Sequence, residues 1–499
     1  MTAAPRKHRL IIISNRLPFV LNRSGDRWNI KPGTGGLVSA LLPVLRDRGG
    51  VWIGWPGVSG ESEQIRAVFN DAVTDTGYTL IPVTLTEEQV HEFYQGFSNE
   101  IIWPLFHDLQ SLCNFDPSYW QTYQEVNRKF AEIAARYSTP EDFIWVQDYH
   151  LFNVATELRR RQVKSKIGFF LHIPFPSLDM FLKLPWRFSL LHALLEYDLI
   201  GFQTVRDRRN FIQCLRTLVK DVTVYGKGQV LELKAADRQL RAGVFPISID
   251  YGVFAKEAAS DAVTDKVVRL HRQSPDRQLI IGVDRLDYTK AIPQRLEAFR
   301  YALRRYPDMH NRVTLIQAVV PSRVDIPRYH ELRTTIDGLI GEINGEFTRP
   351  GGWIPIHYVF HGLDRPDLLA YYRASRIGLV TPVKDGMNLV AKEFCAASVE
   401  ERSVLILSEF AGAAAQLQNW ALLVNPYDIE GTADTIHQAF TMSDDECRWR
   451  MHRMRRSIRN FDIFRWVDSY LQAVIAKDLS AFPIVDDFVP QDNVDIALH

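Results

Sequence analysis

The chain has 499 residues, of which 46% are hydrophobic and 24% charged, a globular composition whose length predicts two domains. The 59 basic and 59 acidic residues cancel, which argues against bulk binding to nucleic acid or to an anionic membrane and favours a small-molecule substrate. No apolar run approaches the roughly 18 residues of a membrane helix. The four cysteines lie far apart without metal-ligand spacing, so we expect a cytoplasmic protein without disulfides.

Short apolar runs that are typical of buried parallel strands recur along the chain. In chain order the predicted strands are Leu10–Ile13, Phe143–Val146, Ile167–His172, Leu199–Phe202, Leu279–Val283, Val313–Val319, Ile377–Val380, Val404–Leu407 and Ala421–Val424. Segments with helical spacing of apolar residues lie between them, among them 37–45 and Ile292–Leu303. This alternation predicts the α/β class with two Rossmann-like domains.

An extended, proline-containing segment, Val244–Asp250, separates the two series of strands. We therefore expect a first domain of residues 1–245, a second of residues 246–480 and an acidic tail of residues 481–499. In such an arrangement a ligand cleft is expected between the domains, at the carboxyl ends of the strands of both sheets.

The segment Thr381–Glu393 predicts an anion-binding turn. It reads as the end of a strand, a turn, and a helix whose apolar residues begin at Leu389. Backbone amides at a helix N-terminus attract anions, so the amides of Gly386–Leu389 suit the phosphates of a sugar nucleotide. Asp385, before the turn, can accept from sugar hydroxyls, and Glu393, one helical turn later, from a ribose. Taken alone, the pattern also fits an ordinary turn with a charged rim.

Four cations stand near other strand ends. Arg285 and Lys290 flank a tight turn after the strand Leu279–Val283, which suits a diphosphate but also fits a solvated surface loop. Arg16 and Arg323 also follow predicted strands, and together they could clasp a phosphate that is not part of the nucleotide.

Polar and aromatic residues complete the candidates. Asp148 and His172 close two strands at the end where ligands gather, although a helix-capping aspartate and a core histidine fit as well. Trp55, Tyr94 and Trp103 offer ring faces to a sugar, or simply belong to the core. The glycines at 33–36 allow close approach of the backbone to a ligand, but they form no dinucleotide fingerprint, so a dehydrogenase is disfavoured.

Together and in this order, these segments carry further motifs. In the first half they are SNRLP at 14–18, GGL at 35–37, GWPG at 54–57, GFSN at 96–99 and HIPFP at 172–176; in the second half they are VDRLDY at 283–288, DGMNLVAKE at 385–393 and LSEF at 407–410. This set closely resembles the trehalose-6-phosphate synthases, retaining glycosyltransferases of the GT-B fold, from about Arg9 to Ala476.

The resemblance implies transfer of glucose, with retention, from UDP-glucose or another nucleoside-diphosphate glucose to glucose 6-phosphate. The first domain would bind the acceptor and the second the nucleotide sugar. The implied donor-binding residues are Gly36, Arg285, Lys290, Asp385, Asn388, Leu389 and Glu393. The implied acceptor-binding residues are Arg16, Trp55, Tyr94, Trp103, Asp148 and Arg323. Catalysis would fall to Asp148, His172, Arg285 and Lys290. No metal or cofactor is expected, since Arg285 and Lys290 would neutralise the leaving diphosphate.

Two departures from the family pattern stand out: Ala291 replaces a common glycine after Lys290, and Gln147 replaces a frequent histidine before Asp148. Two other functions stay open, a glucosyltransferase with another phosphorylated acceptor such as glycerol 3-phosphate, and a non-catalytic sugar-phosphate sensor. The acceptor residues argue against the first and the retained donor-site charges against the second. The sequence does not determine which nucleotide base the donor carries or whether the protein forms a homo-oligomer.

Overall fold

The structure, a computed structural model, describes residues 9–24, 27–32, 41–42, 44–45, 49–59, 78–235, 237–323, 326–349, 352–479, 481–485 and 488. The chain divides into two compact units. The first comprises Met1–Ile247 and Ile463–Asp487, and the second comprises Ser248–Asp462 and Phe488–His499. The division after Ile247 lies close to the expected boundary, but the chain returns to the first unit at Ile463.

The first unit is built on a sheet in which nine described strands follow the order β5-β4-β1-β6-β7-β8-β11-β10-β9. The strands of this unit, including the separate hairpin β2-β3, are β1 (Leu10–Arg16), β2 (Phe19–Ser24), β3 (Arg27–Pro32), β4 (Gly50–Trp55), β5 (Tyr78–Pro82), β6 (Phe143–Gln147), β7 (Lys166–Phe170), β8 (Leu199–Phe202), β9 (Val222–Tyr225), β10 (Val230–Ala235) and β11 (Arg238–Val244). Strands β5 to β8 and β11 run parallel with β1 and β4, while β10 is antiparallel to its neighbours. The carboxyl ends of β4, β1, β6 and β7 therefore lie side by side.

Helices flank this sheet. They are Glu87–Gln89, Val90–Ile102, Trp103–Phe106, Pro117–Tyr137, Val154–Arg160, Leu178–Phe181, Arg187–Leu195, Val205–Leu218 and Ile463–Ile475, with single 3₁₀ turns at Gln110–Leu112 and Tyr149–Leu151. The helix Val90–Ile102 has the wide turns of a π-helix, and the amide of Trp103 after it donates to Ser98 O, five residues earlier. Such helices are rare and concentrate at functional sites.

The last helix, Ile463–Ile475, packs on the first sheet. The Tyr470 ring stacks on Trp145 with centroids 4.4 Å apart, and Tyr470 Oη donates to Phe169 O at 3.0 Å. Glycine makes room for it, because a Cβ at Gly168 would lie 2.5 Å from the Tyr470 hydroxyl. The sequence predicts this helix in the second domain, because its apolar periodicity does not show which sheet it covers.

The second unit holds a parallel sheet of six described strands in the order β14-β13-β12-β15-β16-β17. They are β12 (Gln278–Arg285), β13 (Val313–Val320), β14 (Ile356–Val359), β15 (Ile377–Val380), β16 (Val404–Ser408) and β17 (Leu422–Val424). The helices are Tyr251–Ala258, Asp261–Gln273, Ile292–Arg305, Pro327–Phe347, Arg365–Ala374, Leu389–Ala397, Ala414–Leu417, Ile429–Thr441 and Asp444–Asn460, with 3₁₀ turns at Tyr288–Lys290 and Pro307–Met309. All nine predicted strands are confirmed, as are the α/β class and the two Rossmann-like units.

Across the ranges given above, no helix is both long enough and apolar enough to cross a lipid bilayer. Gly36, most of the predicted helix at 37–45 and most of the tail at 481–499 lie outside the described residues.

Candidate functional site

Three predicted acceptor residues meet at the ends of β1 and β4. The strand register pairs Arg16 with Trp55, and the Arg16 guanidinium lies 3.8 Å from the Trp55 ring centroid and 5.4 Å from that of Tyr94. Burial lowers the pKa of Arg16, yet a guanidinium remains charged at neutral pH. A cation packed beside two aromatic rings suits a phosphorylated sugar, because the rings can pack on the sugar and the cation can bind the phosphate.

The π-helix carries Tyr94 into this cluster, where its ring stacks on His150 with centroids 5.8 Å apart. Asn99 holds the helix in place: its Nδ2 donates to Tyr94 O at 2.6 Å, and its Oδ1 accepts from Tyr149 Oη at 3.0 Å. Trp103 is only 6% exposed, and its ring packs on Tyr149 and His107. Trp103 therefore joins the cluster through Tyr149, mainly as a buried support.

Asp148 and His172, at the ends of β6 and β7, are in direct contact. Asp148 Oδ1 accepts from the backbone amide of His172 at 3.1 Å, and the side chain makes no capping bond to the turn Tyr149–Leu151. The helix-capping alternative is therefore not what the structure shows. Asp148 has φ 72°, a strained conformation for a residue with a side chain, and such strain concentrates at functional sites.

The His172 ring bonds to side chains. Its Nε2 lies 2.9 Å from Gln147 Oε1, and its Nδ1 lies 3.5 Å from Gln203 Nε2. Burial lowers the pKa of His172 to about 3, so the imidazole is neutral at physiological pH. A neutral ring with fixed partners can bind a sugar hydroxyl.

In the second unit, Lys290 forms an ion pair with Asp385. Their side chains are 11% and 15% exposed, and Asn388 Nδ2 also donates to Asp385 Oδ2 at 3.1 Å. The predicted diphosphate cation and the predicted sugar-binding carboxylate are thus adjacent. A bound diphosphate and sugar would have to exchange this internal pair for contacts with the ligand.

The buried Asp287 interacts with three of the predicted site cations. Burial alone would raise the pKa of Asp287, but the charges of Arg323, Lys290 and Arg285 outweigh it and lower the pKa. Arg323 Nη1 lies 3.2 Å from Asp287 Oδ2 and donates to Tyr329 Oη at 2.6 Å. Arg323 therefore belongs to the cation cluster of the second unit, whereas Arg16 belongs to the first. The expected clasp of one phosphate by both stays a prediction.

The helix Leu389–Ala397 begins where the sequence predicts. Asn388 caps it in the left-handed conformation, with Oδ1 accepting from the Ala391 amide at 3.3 Å. One turn later, Glu393 Oε2 accepts from Tyr372 Oη at 3.2 Å, and burial raises the pKa of Glu393. The first-turn amides and the Glu393 carboxylate thus lie on neighbouring turns, as a phosphate and a ribose of one nucleotide would require.

Arg295, which is not among the predicted site residues, connects several segments of this site. It is fully buried and forms an ion pair with Asp284, while its Nε donates to Thr381 Oγ1 at 3.0 Å and its Nη2 to Lys290 O at 3.3 Å. It thereby joins the ends of β12 and β15 to the loop that carries Lys290. The available signal was a charge on the apolar face of the helix Ile292–Arg305.

The two family departures have structural counterparts. Ala291 adopts φ 52° and ψ 39°, the left-handed region in which glycine is preferred, and Gln147 bonds to His172. No group of three or more His, Cys, Asp or Glu that could hold a metal ion occurs among the residues with described positions.

Two Rossmann-like units, one with cations and carboxylates at its strand ends and the other with an arginine packed against aromatic rings, define a glycosyltransferase of the GT-B fold. The chain belongs to glycosyltransferase family 20, whose model matches residues 8–476.

Relatives of this chain cover nearly its whole length. A trehalose-6-phosphate synthase from Mycolicibacterium vanbaalenii is 40% identical over 475 residues, which is 94% of this chain and 96% of the relative. A UDP-forming trehalose-phosphate synthase from Burkholderia xenovorans, solved with glucose 6-phosphate, has TM-score 0.85 and 34% identity, covering 94% of this chain and 100% of that one. The E. coli enzyme solved with UDP-2-fluoro glucose has TM-score 0.85 and 37% identity, covering 93% and 98%. The predicted family, fold and enzyme class are confirmed.

Proposed function

We propose that this protein is an α,α-trehalose-6-phosphate synthase that transfers glucose, with retention, from UDP-glucose or another nucleoside-diphosphate glucose to glucose 6-phosphate. The observation that carries the proposal is the cation cluster of the second unit, in which Arg285, Lys290 and Arg323 all act on the buried Asp287. Arg285 and Lys290 of this cluster, beside a helix N-terminus, suit a leaving diphosphate, and Arg323 is then left for the acceptor phosphate. The relatives solved with glucose 6-phosphate and with a UDP-glucose analogue support the choice of substrates.

On the donor side, Arg285 and Lys290 neutralise the diphosphate together with the backbone amides of Asn388 and Leu389, and Gly36 lies beside the phosphates. Lys290 exchanges its ion pair with Asp385 for the phosphate oxygens, and this frees Asp385 to accept from the glucosyl hydroxyls. Glu393, which already accepts from Tyr372, accepts from the ribose. The exchange makes nucleotide and sugar binding mutually dependent.

On the acceptor side, Arg16 and Arg323 bind the phosphate of glucose 6-phosphate. Trp55 and Tyr94, which already pack around Arg16, cover the sugar, with Trp103 behind them. Asp148 lies near the reacting hydroxyl. Because its carboxylate accepts from the His172 amide, its orientation is set before the substrate arrives.

In the transfer itself, the bond from the glucosyl C1 to the phosphate oxygen breaks while a bond from C1 to the acceptor hydroxyl oxygen forms on the same face. The departing phosphate oxygen takes the hydroxyl proton, so no carboxylate nucleophile is needed. The protein contributes alignment of the two substrates and stabilisation of the negative charge on the leaving group. Arg285 and Lys290 supply the charge that a metal ion could otherwise provide.

The test is nucleoside diphosphate release from UDP-, ADP- and GDP-glucose, each with glucose 6-phosphate or glycerol 3-phosphate as acceptor, with mass and NMR analysis of the product. We expect release only with glucose 6-phosphate and a non-reducing disaccharide phosphate. Release with glycerol 3-phosphate would favour the related transferase instead. Binding of sugar phosphates without release from any pair would favour the sensor.

We further propose that the protein acts in the cytoplasm on small molecules alone, without nucleic acid or membrane partners, either as a monomer or as a homo-oligomer. The balanced charge and the four cysteines, none of which forms a disulfide, support this. Cell fractionation tests the location, and light scattering of the purified protein gives the oligomeric state.

A further inference from the structure

We propose that Gln147 is a positioning residue that fixes which ring nitrogen of His172 carries the proton, so that Nδ1 is presented as a hydrogen-bond acceptor to a hydroxyl of the bound sugar. The assignment of that hydroxyl to the donor glucose rests on the proposed function. The assignment of the proton rests on the geometry of the first unit alone.

Gln147 contacts the ring of His172 directly. Gln147 is the last residue of β6 and is fully buried, and its Oε1 lies 2.9 Å from His172 Nε2. An amide oxygen only accepts hydrogen bonds. With Oε1 facing the ring, the proton of this bond resides on Nε2 of His172.

The opposite ring nitrogen of His172 is Nδ1. A neutral imidazole has a single N–H, so a proton on Nε2 leaves a lone pair on Nδ1. Gln203 agrees with this assignment: its Oε1 accepts from the Ile247 amide at 2.9 Å, which turns its Nε2 towards His172 Nδ1 at 3.5 Å. At that length the bond is weak, so a ligand hydroxyl that replaces it would find Nδ1 as its acceptor.

The His172 ring is held in place by its neighbours. The His172 ring packs against Phe170 and Trp466 with centroids 4.6 and 6.2 Å apart, and its backbone amide is held by Asp148. Adjacent residues, Gln147 and Asp148, thus fix the ring and the backbone of the same histidine. The opposite tautomer would point an N–H at Gln203 and at the ligand, and a sugar hydroxyl would have to accept instead of donate.

The direct test is the tautomer of His172 in the unmodified full-length protein. Long-range ¹H–¹⁵N spectra of protein labelled at its 14 histidines, with His172→Asn to assign the signal, should show a neutral ring with the proton on Nε2. A proton on Nδ1, or a charged ring at pH 7, would overturn the proposal. This measurement depends neither on activity nor on the folding of a Gln147 variant.

The second test is kinetic. Gln147→Leu removes the acceptor, so we expect mixed tautomers and a fall of about tenfold in kcat/KM for the nucleotide sugar, with the KM for glucose 6-phosphate unchanged. Gln147→His keeps an accepting nitrogen and should restore most of the activity. Gln229→Leu is the matched control, since that glutamine bonds to Val244 O at 2.9 Å in the same unit. A Gln147→Leu variant with the wild-type tautomer and kinetics would refute the role.

The two hypotheses separate cleanly. A wild-type protein with the expected tautomer but no transfer to any acceptor would refute the proposed function and leave the assignment of the proton standing. Full transfer with the opposite tautomer would refute the role of Gln147 and leave the proposed function intact.

Discussion

Ala291 occupies a backbone conformation that disfavours a side chain. Its φ of 52° and ψ of 39° place it in the left-handed region at the N-cap of the helix Ile292–Arg305, where an alanine costs about 1 kcal/mol relative to glycine. We expect Ala291→Gly to raise the free energy of unfolding by roughly 0.5–1 kcal/mol, even after the greater entropy of glycine in the unfolded chain. Urea denaturation measures this difference.

The control for this substitution is Ala255→Gly, within the helix Tyr251–Ala258. There the backbone is helical, so glycine should lower the free energy of unfolding by about 1 kcal/mol. Equal destabilisation by both substitutions would mean that the left-handed conformation of Ala291 carries no strain.

Substitution of Lys290 should lower the activity while the protein stays folded. Lys290→Met removes the charge expected on the leaving diphosphate, and we expect kcat to fall by about 10²–10³. Asp385 keeps its hydrogen bond from Asn388 at 3.1 Å, so the fold should persist. Initial rates of nucleoside diphosphate release, together with circular dichroism, measure both effects.

Lys266→Met is the matched substitution for that experiment. Lys266 pairs with Asp367 in the same unit, where the two side chains are 33% and 42% exposed, and exposed pairs contribute little to stability. The variant should keep wild-type rates. If Lys290→Met also kept them, the assignment of Lys290 to the leaving group would be wrong.

The loop before the helix Leu389–Ala397 depends on a glycine in a neighbouring segment. A Cβ at Gly412 would lie 1.9 Å from Gly386 O, and the Gly412 amide donates to Asp385 O at 3.1 Å. Gly412→Ala must therefore displace the turn that precedes the amides proposed to bind the donor. We expect a loss of at least tenfold in kcat/KM for the nucleotide sugar, because a displacement of about 1 Å can cost about a hundredfold in rate.

Gly338→Ala provides the opposite case. Gly338 lies within the helix Pro327–Phe347, and an added Cβ there has no atom within 4 Å. This alanine should raise the free energy of unfolding by up to about 1 kcal/mol and leave the rates unchanged. Donor titration calorimetry of both variants distinguishes a displaced turn from a general loss of stability.

Some elements could be read from the sequence because their local pattern is sufficient. Strands such as Ile377–Val380 and Val404–Ser408 are buried along their whole length, and continuous apolar runs indicate such strands. Strand β9 was missed because its residues are alternately half-buried and exposed, and β10 because the exposed Glu232 and Lys234 interrupt its apolar residues. Their pairing depends on partners distant in the sequence.

The residues of the candidate site likewise divide into those that the sequence predicts and those that it does not. Motifs located Lys290, Asp385 and Asn388, whose contacts the structure then supplied. Arg295 was missed because its bonds to Asp284 and Thr381 join strands that are far apart in the chain, and nothing in the local pattern shows where a buried guanidinium finds its partners.

The chain passes from the first unit to the second and then returns to the first. The helix Ile463–Ile475 therefore contributes to the stability of the first unit. Trp466 Nε1 donates to Phe245 O at 3.0 Å, and the Tyr470 hydroxyl contacts both Phe169 O and Leu199 O. Tyr470→Ala would remove a fully buried ring and leave these carbonyl groups without that donor. Such a change costs about 3–5 kcal/mol.

The part of the structure that Tyr470→Ala destabilises is the informative result. Hydrogen exchange followed by mass spectrometry should show lost protection in β6, β7 and β8, with β12 to β17 unchanged, because the ring packs on Trp145 and Phe245 and both belong to the first unit. Tyr427→Ala, a tyrosine of the second unit that is 62% exposed, should alter neither sheet. Lost protection in β12 to β17 would instead return the helix to the second domain, where the sequence alone had placed it.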